Sequence, residues 1–230
     1  METWKEPTMS HDPPIGVIFD MDGVLIDSAE AHLQSWCLLA QENDANITHD
    51  HFTQTFGRQN QDVIPILFGD VHDRRLRELA DRKEALYRDL IRKDPPLVEG
   101  AASLIRSLSN RGARVAIGSS GPIENIRLVI SALQVEGRIT TIVSSNDVTR
   151  GKPDPQVFSM AAERLGVTTN RCVVIEDAPV GIQAARAAGM RSVGVLLYHT
   201  AEALGESDLQ VTRLADLAAE TVLRLVRERE

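Results

Sequence analysis

The sequence predicts an α/β protein, a doubly wound parallel sheet with an all-helical block inserted after its first strand. Three observations predict it. Short apolar runs rich in β-branched residues recur at 114–117, 141–143, 172–175, 192–195 and 209–211, and an isolated one stands at 17–19. Helical periodicity fills the intervals at 101–110, 122–133, 155–165 and 179–188, with a closing helix from about 214. Such alternation builds a parallel sheet with helices on its faces. The third observation is a surplus. The stretch 28–96 is helical in character and carries no strand pattern, far more chain than the about a dozen residues a crossover needs.

The first run, from Ile15 to Phe19, holds no charge, as expected of a strand covered on both faces. It ends in Asp20-Met21-Asp22, and Gly23 then releases the backbone into a turn. The surplus block opens at Ser28, a capping residue, with a helix over 28–40 that places Leu33, Trp36, Cys37 and Ala40 on one face. Helices over 48–55, 60–67 and 71–93 follow, the last dense in Arg, Glu, Leu and Ala, and Asp94-Pro95-Pro96 stops it. The expected organisation is a flexible leader at 1–14, a core from 15–27 and 97–230, and a helical cap at 28–96. Hinges at 27–28 and 94–97 would set the cap over the C-terminal edge of the sheet, where open α/β folds bind ligands.

With 230 residues, 43% of them hydrophobic, the chain can bury a sizeable core. A net charge of -8 argues against nucleic acid or an anionic membrane as the main partner. No uncharged apolar run reaches membrane-spanning length, and the start lacks an apolar signal core, so the expectation is a cytoplasmic monomer or weak dimer. Cys37 and Cys172, far apart in apolar surroundings, read as reduced, buried and structural.

Three more strand ends repeat the polar character of the first. After 114–117 comes Gly118-Ser119-Ser120-Gly121-Pro122, a helix cap by itself or a phosphate cradle in company. After 141–143 a loop presents Lys152 between Gly151 and Pro153, and a loop lysine alone is normally solvated surface. After 172–175 stand Glu176 and Asp177, just before Pro179 in the first helical position. Asp20 and Asp22 alone would suit a turn equally well. Together, all four tips of one parallel sheet converge on a single crevice. Four carboxylates there would repel one another and any phosphate, so the cluster calls for a cation, and hard oxygens without His or Cys select Mg²⁺.

At this point the sequence resembles the haloacid dehalogenase superfamily. The run from Phe19 to Ser28, then Ser119, Lys152 and Glu176-Asp177 look like its four motifs in order. The first helix and the run Glu176 to Ala185 are similar to the helical-cap subgroup that contains β-phosphoglucomutases and small sugar-phosphate phosphatases. The resemblance implies a Rossmann-like core and a phosphate ester as substrate. It makes Asp20 the nucleophile and Asp22 the acid and then the base, with its pKa raised by neighbouring carboxylates. Lys152 and Ser119 would steady the phosphate. Mg²⁺ would be held by the Asp20 side chain, the Asp22 carbonyl and Asp177, with Glu176 as ligand or second layer. No nucleic acid and no membrane is expected as partner, only a small phosphorylated metabolite.

The cap residues decide what else is bound. His32 lies where this subgroup places a histidine near the acid, or is simply a partly buried helix histidine. β-Phosphoglucomutases carry a Lys-Gly-x-Ser-Arg segment in the cap loop, whereas this chain has Phe56-Gly57-Arg58-Gln59-Asn60. Phe56 and Asn60 replace the cations, unless Arg58 compensates from a shifted position. Gly57, Arg58, Asn60, Ser120 and His32 are therefore the expected substrate contacts, and net hydrolysis of a monoester with an uncharged remainder is the expected reaction. A phosphomutase is the alternative, and a non-catalytic phospho-ligand binder a second one that the complete motif set argues against. His49-Asp50-His51 reads as a solvated first helical turn, and His72 and His199 as surface residues.

Overall fold

The computed structural model describes residues 13–45, 47–48, 55 and 59–228. Among them one six-stranded sheet is formed by β1 (Gly16–Phe19), β2 (Arg114–Gly118), β3 (Thr141–Val143), β4 (Cys172–Glu176), β5 (Arg191–Val195) and β6 (Leu209–Val211). The strand order is β3-β2-β1-β4-β5-β6, with every neighbouring pair parallel. The helices are α1 (Ala29–Glu42), α2 (Asn60–Phe68), α3 (Asp73–Ile91), α4 (Ala101–Asn110), α5 (Ile123–Leu133), α6 (Gln156–Leu165), α7 (Pro179–Ala187) and α8 (Ala219–Arg227).

Strand alternation sorts the core into two layers. Val17 and Phe19 of β1 face α4, α5 and α8, packing with Ile105, Leu108, Val129, Val222 and Val226. Ile18, between them, faces the other side with Phe158, Ala161 and Leu165 of α6 and Ala184 and Ala185 of α7. The register sets Phe19 beside Ile117 of β2 and Ile175 of β4. One residue further on, Asp20, the end of β2 and Glu176 must therefore lie side by side. The order reverses direction between β1 and β4, the point where doubly wound sheets open a crevice at their carboxyl ends.

The segment between β1 and α4 has an apolar cluster of its own. Trp36, Leu39 and Ala40 of α1 meet Val63 and Ile64 of α2 and Leu79 and Leu86 of α3. Its two connections to the sheet are neighbours: Asp27 N donates to Pro96 O at 2.8 Å, Val98 N to Leu25 O at 3.0 Å, and Ile26 and Leu97 form an antiparallel bridge.

Several expectations need correction. Ser28 occupies the N-cap of α1 but its side chain makes no cap bond. Instead Tyr198, from the loop after β5, accepts from Ala29 N at 3.1 Å and donates to the Asp27 carboxylate. The closing helix starts at Ala219, not near 214, because buried Leu214 and Leu217 hold a 3₁₀ turn and an extended stretch against the core first. Cys172 is buried and its thiol is pushed up to about 12 by burial, whereas Cys37 is only half-buried. Most of the helix expected over 48–55, and with it His49 and His51, lies outside the described residues.

Candidate active site

The crevice is assembled from strand ends, and each acid is fixed by a local reason. Asp20 N donates to Ile175 O at 2.9 Å, which carries the sheet ladder one residue beyond β1 and aims the carboxylate into the crevice. Gly23, at φ 74°, lets the chain turn where a Cβ would stand 2.1 Å from Asp177 Oδ2. Gly181 similarly leaves room on α7 for the Glu176 carboxylate, 1.8 Å from where its Cβ would be. Lys152 Nζ donates to Asp20 Oδ1 at 2.7 Å and to Glu176 Oε1 at 2.6 Å, above the Phe158 ring. Glu176 Oε2 accepts from Ala178 N at 2.7 Å, so both oxygens of Glu176 are held. Ser119 is buried beneath the loop after β2, its Oγ accepting from Gly121 N at 3.0 Å, and Ser120 and Gly121 face the cavity.

Charge at these tips is out of balance. Oxygens of Asp20, Glu176 and Asp177 lie within 4.8 Å of one another, with one ammonium among them. Burial pushes the Asp20 carboxyl up to about 7, helped by Glu176 and Asp22 and opposed by Lys152. Asp177 is raised well above the carboxylate range by burial and by the charges of Glu176 and Asp20. The Lys152 ammonium is raised as well, since Asp20 and Glu176 outweigh the effect of its burial. Acids that resist ionising together, offering hard oxygens only, are a donor set suited to a divalent cation such as Mg²⁺.

Asp22 differs from the expectation. Burial acts to raise its carboxyl, yet the hydrogen bond from His32 and the nearby Lys83 ammonium hold it below its ordinary value. His32 Nε2 donates to Asp22 Oδ1 at 3.3 Å, and the Tyr87 hydroxyl donates to the same oxygen at 3.5 Å. The tautomer follows from donor logic. Lys83 Nζ lies 2.7 Å from His32 Nδ1, and an ammonium can only donate, so the ring proton sits on Nε2. Tyr87 stacks on the imidazole at 4.2 Å between centroids. Neighbouring carboxylates thus act on Asp20 and Asp177, while Asp22 belongs to this cationic corner.

Behind it, Lys83 also donates to Glu84 Oε1 at 2.9 Å, which accepts from Asn60 Nδ2 at 2.8 Å as well. Glu84 Oε2 accepts from Asn125 Nδ2 of α5 at 2.5 Å, and Arg88 donates to Asn125 Oδ1 at 3.0 Å. Burial opposes ionisation of Glu84, but Lys83 and these donors hold it below its usual range. Lys83, Glu84, Tyr87 and Asn125 had no place in the sequence reading.

The two groups line one cavity of about 890 Å³. Asp20, Asp22, His32, Asn60, Ser120, Lys152, Glu176 and Asp177 of the expected residues face it. Gly57 and Arg58 lie outside the described residues. His199, expected at the surface, is half-buried in the cavity wall beyond Asp177, whereas His72 is exposed and caps α3 by accepting from Arg75 N at 3.2 Å.

Residues 16–189 match the haloacid dehalogenase-like hydrolase family. A β-phosphoglucomutase of Bacillus subtilis (strain 168) is 32% identical over 212 residues, covering 89% of this chain and 92% of that protein. A validoxylamine A 7'-phosphate phosphatase of Streptomyces hygroscopicus subsp. limoneus is 30% identical, over 87% of this chain and 94% of its own length. The crystal structure of β-phosphoglucomutase from Clostridium difficile superimposes with a TM-score of 0.83 at 26% identity, covering 94% of this chain and 99% of that one. By fold, by strand-tip residues and by sequence, the chain belongs to the haloacid dehalogenase-like hydrolase family.

Proposed function

We propose that this chain hydrolyses a small phosphate monoester, with a sugar or polyol as its uncharged remainder, through a phosphate carried transiently on Asp20. The observation that carries the reading is the Lys152 ammonium clamped between Asp20 and Glu176 at the mouth of the strand-tip crevice. It favours the ionised, nucleophilic form of Asp20 against burial and offers positive charge to a phosphate. In the first half-reaction an Asp20 oxygen bonds to phosphorus, the ester P–O bond breaks, and Asp22 gives its proton to the departing alkoxide. In the second, water adds to phosphorus, Asp22 takes its proton, and the bond to Asp20 breaks. A depressed carboxyl suits the base step, and the charge of a bound phosphate raises its proton affinity for the acid step. Ser119 would hold the loop that cradles the transferring oxygens.

Mg²⁺ is the cation that fits. The Asp20 and Asp177 carboxylates and the Asp22 carbonyl would hold it, with Glu176 as a further ligand or as support for Lys152. When bound it supplies the positive charge that screens nucleophile from phosphate. Residues 28–96 would act as a cap that opens for exchange and closes for chemistry, a reading supported by their separate apolar cluster. Faster amide exchange at Asp27, Ser28, Asp94 and Leu97 than in β1 would support that hinge, and uniform protection would remove it.

Hydrolysis is favoured over phosphate transfer to a second position by the far end of the cavity. There Asn60, standing where β-phosphoglucomutases carry an Arg, is spent on Glu84 and offers a second phosphate no charge of its own. The mutase reading rests on the likeness to β-phosphoglucomutases. A panel of phosphate esters, with Mg²⁺ and with EDTA, decides: Mg²⁺-dependent release of phosphate is expected. Efficient conversion of β-glucose 1-phosphate to glucose 6-phosphate, given a trace of the 1,6-bisphosphate, would establish the mutase. Binding without turnover on the whole panel would establish a phospho-ligand binder.

A further inference from the structure

The buried contact between Glu84 of α3 and Asn125 of α5 joins the inserted helices to the core through side chains that touch neither the nucleophile nor the cation-binding oxygens. Asn125 is 1% exposed and sits in the first turn of α5, directly after the Ser119–Pro122 loop, with its backbone N donating to Pro122 O at 3.1 Å. Both ends of its amide are bonded: Nδ2 donates to Glu84 Oε2, and Oδ1 accepts from Arg88 Nη1. Glu84 Oε1 is the counter-charge for Lys83, which is itself only 2% exposed. A buried ammonium with no carboxylate beside it would not stay in place. From Lys83 the chain of contacts runs to His32 Nδ1 and from His32 Nε2 to Asp22 Oδ1.

We infer that Glu84 and Asn125 are positioning residues for the acid–base carboxylate. Their bond forms only with the inserted helices seated on α5, and it holds Lys83 where it fixes the His32 tautomer and thereby the orientation of Asp22. Seating of the cap, the phosphate loop and the proton donor are thus tied by one buried amide–carboxylate contact. The inference rests on the phosphatase reading and is tested separately from it.

The test exploits leaving groups. An alkyl phosphate needs a proton delivered to its departing oxygen, whereas p-nitrophenyl phosphate expels a stable anion without one. Asn125→Ala should lower kcat/KM, which reports the first half-reaction alone, for a hexose or glycerol phosphate by roughly ten- to a hundredfold, a fraction of what a general acid contributes. With p-nitrophenyl phosphate kcat/KM should change less than about twofold, while kcat, which includes the base step on Asp22, should fall for both esters. Glu84→Gln, close to isosteric, should give the same signature and answers if Asn125→Ala does not fold. The double variant should be no worse than the poorer single one, since both cut the same chain. Equal losses of kcat/KM on both esters, or additive losses in the double variant, would overturn the inference and leave the phosphatase reading intact. A wild-type protein that hydrolyses neither ester overturns both.

Discussion

Two buried charge clusters face one cavity and are built to opposite rules. At the strand tips a single ammonium, Lys152, stands among Asp20, Glu176 and Asp177, and two of these acids are forced toward protonation. On α3, Lys83 answers Glu84 one for one, amides from Asn60 and Asn125 complete the carboxylate, and Glu84 stays readily ionised. Burying charge is costly in both places. One cluster is completed by the fold itself, and the other only by something that arrives. Imbalance, more than burial, therefore marks the chemical end of the cavity.

The largest expected effect breaks the comparison at its centre. Asp20→Asn should lower phosphate release by roughly 10³-fold or more while melting no lower than wild type, because it removes a charge from an overloaded site. Retention of more than about a hundredth of wild-type turnover would disqualify Asp20 as nucleophile. Next, Lys152→Met and Lys83→Met should each cost roughly 3–5 kcal/mol in urea melts at pH 8 without metal, since each strands buried carboxylates. Saturating Mg²⁺ should restore most of the first loss and none of the second. Equal rescue of both would erase the distinction between the clusters.

For the wild type, Mg²⁺ at a hundredfold above its dissociation constant should add about 2.7 kcal/mol of stability, read as a higher melting temperature that EDTA reverses. No shift would take the cation out of the strand-tip site. The smallest effect is in pH. The folded Asp20 carboxyl lies at about 7 against 3.8 unfolded, so its cost is present above 7 and is relieved as pH falls toward 4. Metal-free protein should gain about 1–2 kcal/mol between pH 8 and 6, and Asp20→Asn should reduce that gain. Glu84 runs the other way. Its depressed carboxyl contributes stability above its unfolded value of 4.5, lost as pH falls through the folded one. A metal-free protein that loses stability steadily from pH 8 to 5 would contradict the imbalance.

The same contrast explains what could be read from sequence. α4, β3 and β6 have the bounds expected of them, because apolar spacing and the turn residues around them act over a few positions. The strand-tip acids were legible since a parallel sheet brings its carboxyl ends together whatever the loops do. Lys83 and Glu84 were not, lying in a helix so rich in charge that no one charged residue stands out from its neighbours. Their signal was spacing: Leu79, Lys83, Leu86 and Tyr87 fall on one stripe, and a lysine on a buried stripe needs a counter-charge. Asn125 and Tyr198 offered no local cue, as their partners lie 41 and 169 positions away. The direction of the Asp22 shift was missed because it turns chiefly on the hydrogen bond from His32, to which Lys83 adds, and not on the neighbouring carboxylates.

The paired crossings at Asp27–Pro96 and Leu25–Val98 have a further consequence. Because the inserted segment leaves and re-enters the sheet through hydrogen-bonded neighbours, its ends are already joined in space, and the sheet is indifferent to what is strung between them. Closing a chain loop grows more costly only logarithmically, about 0.6 kcal/mol per doubling of length. The segment is thus expected to be exchangeable. Replacing it with another helical hairpin, matched at Glu84 to Asn125, would rewrite which molecules reach Asp20 without any change to the strands that carry the chemistry.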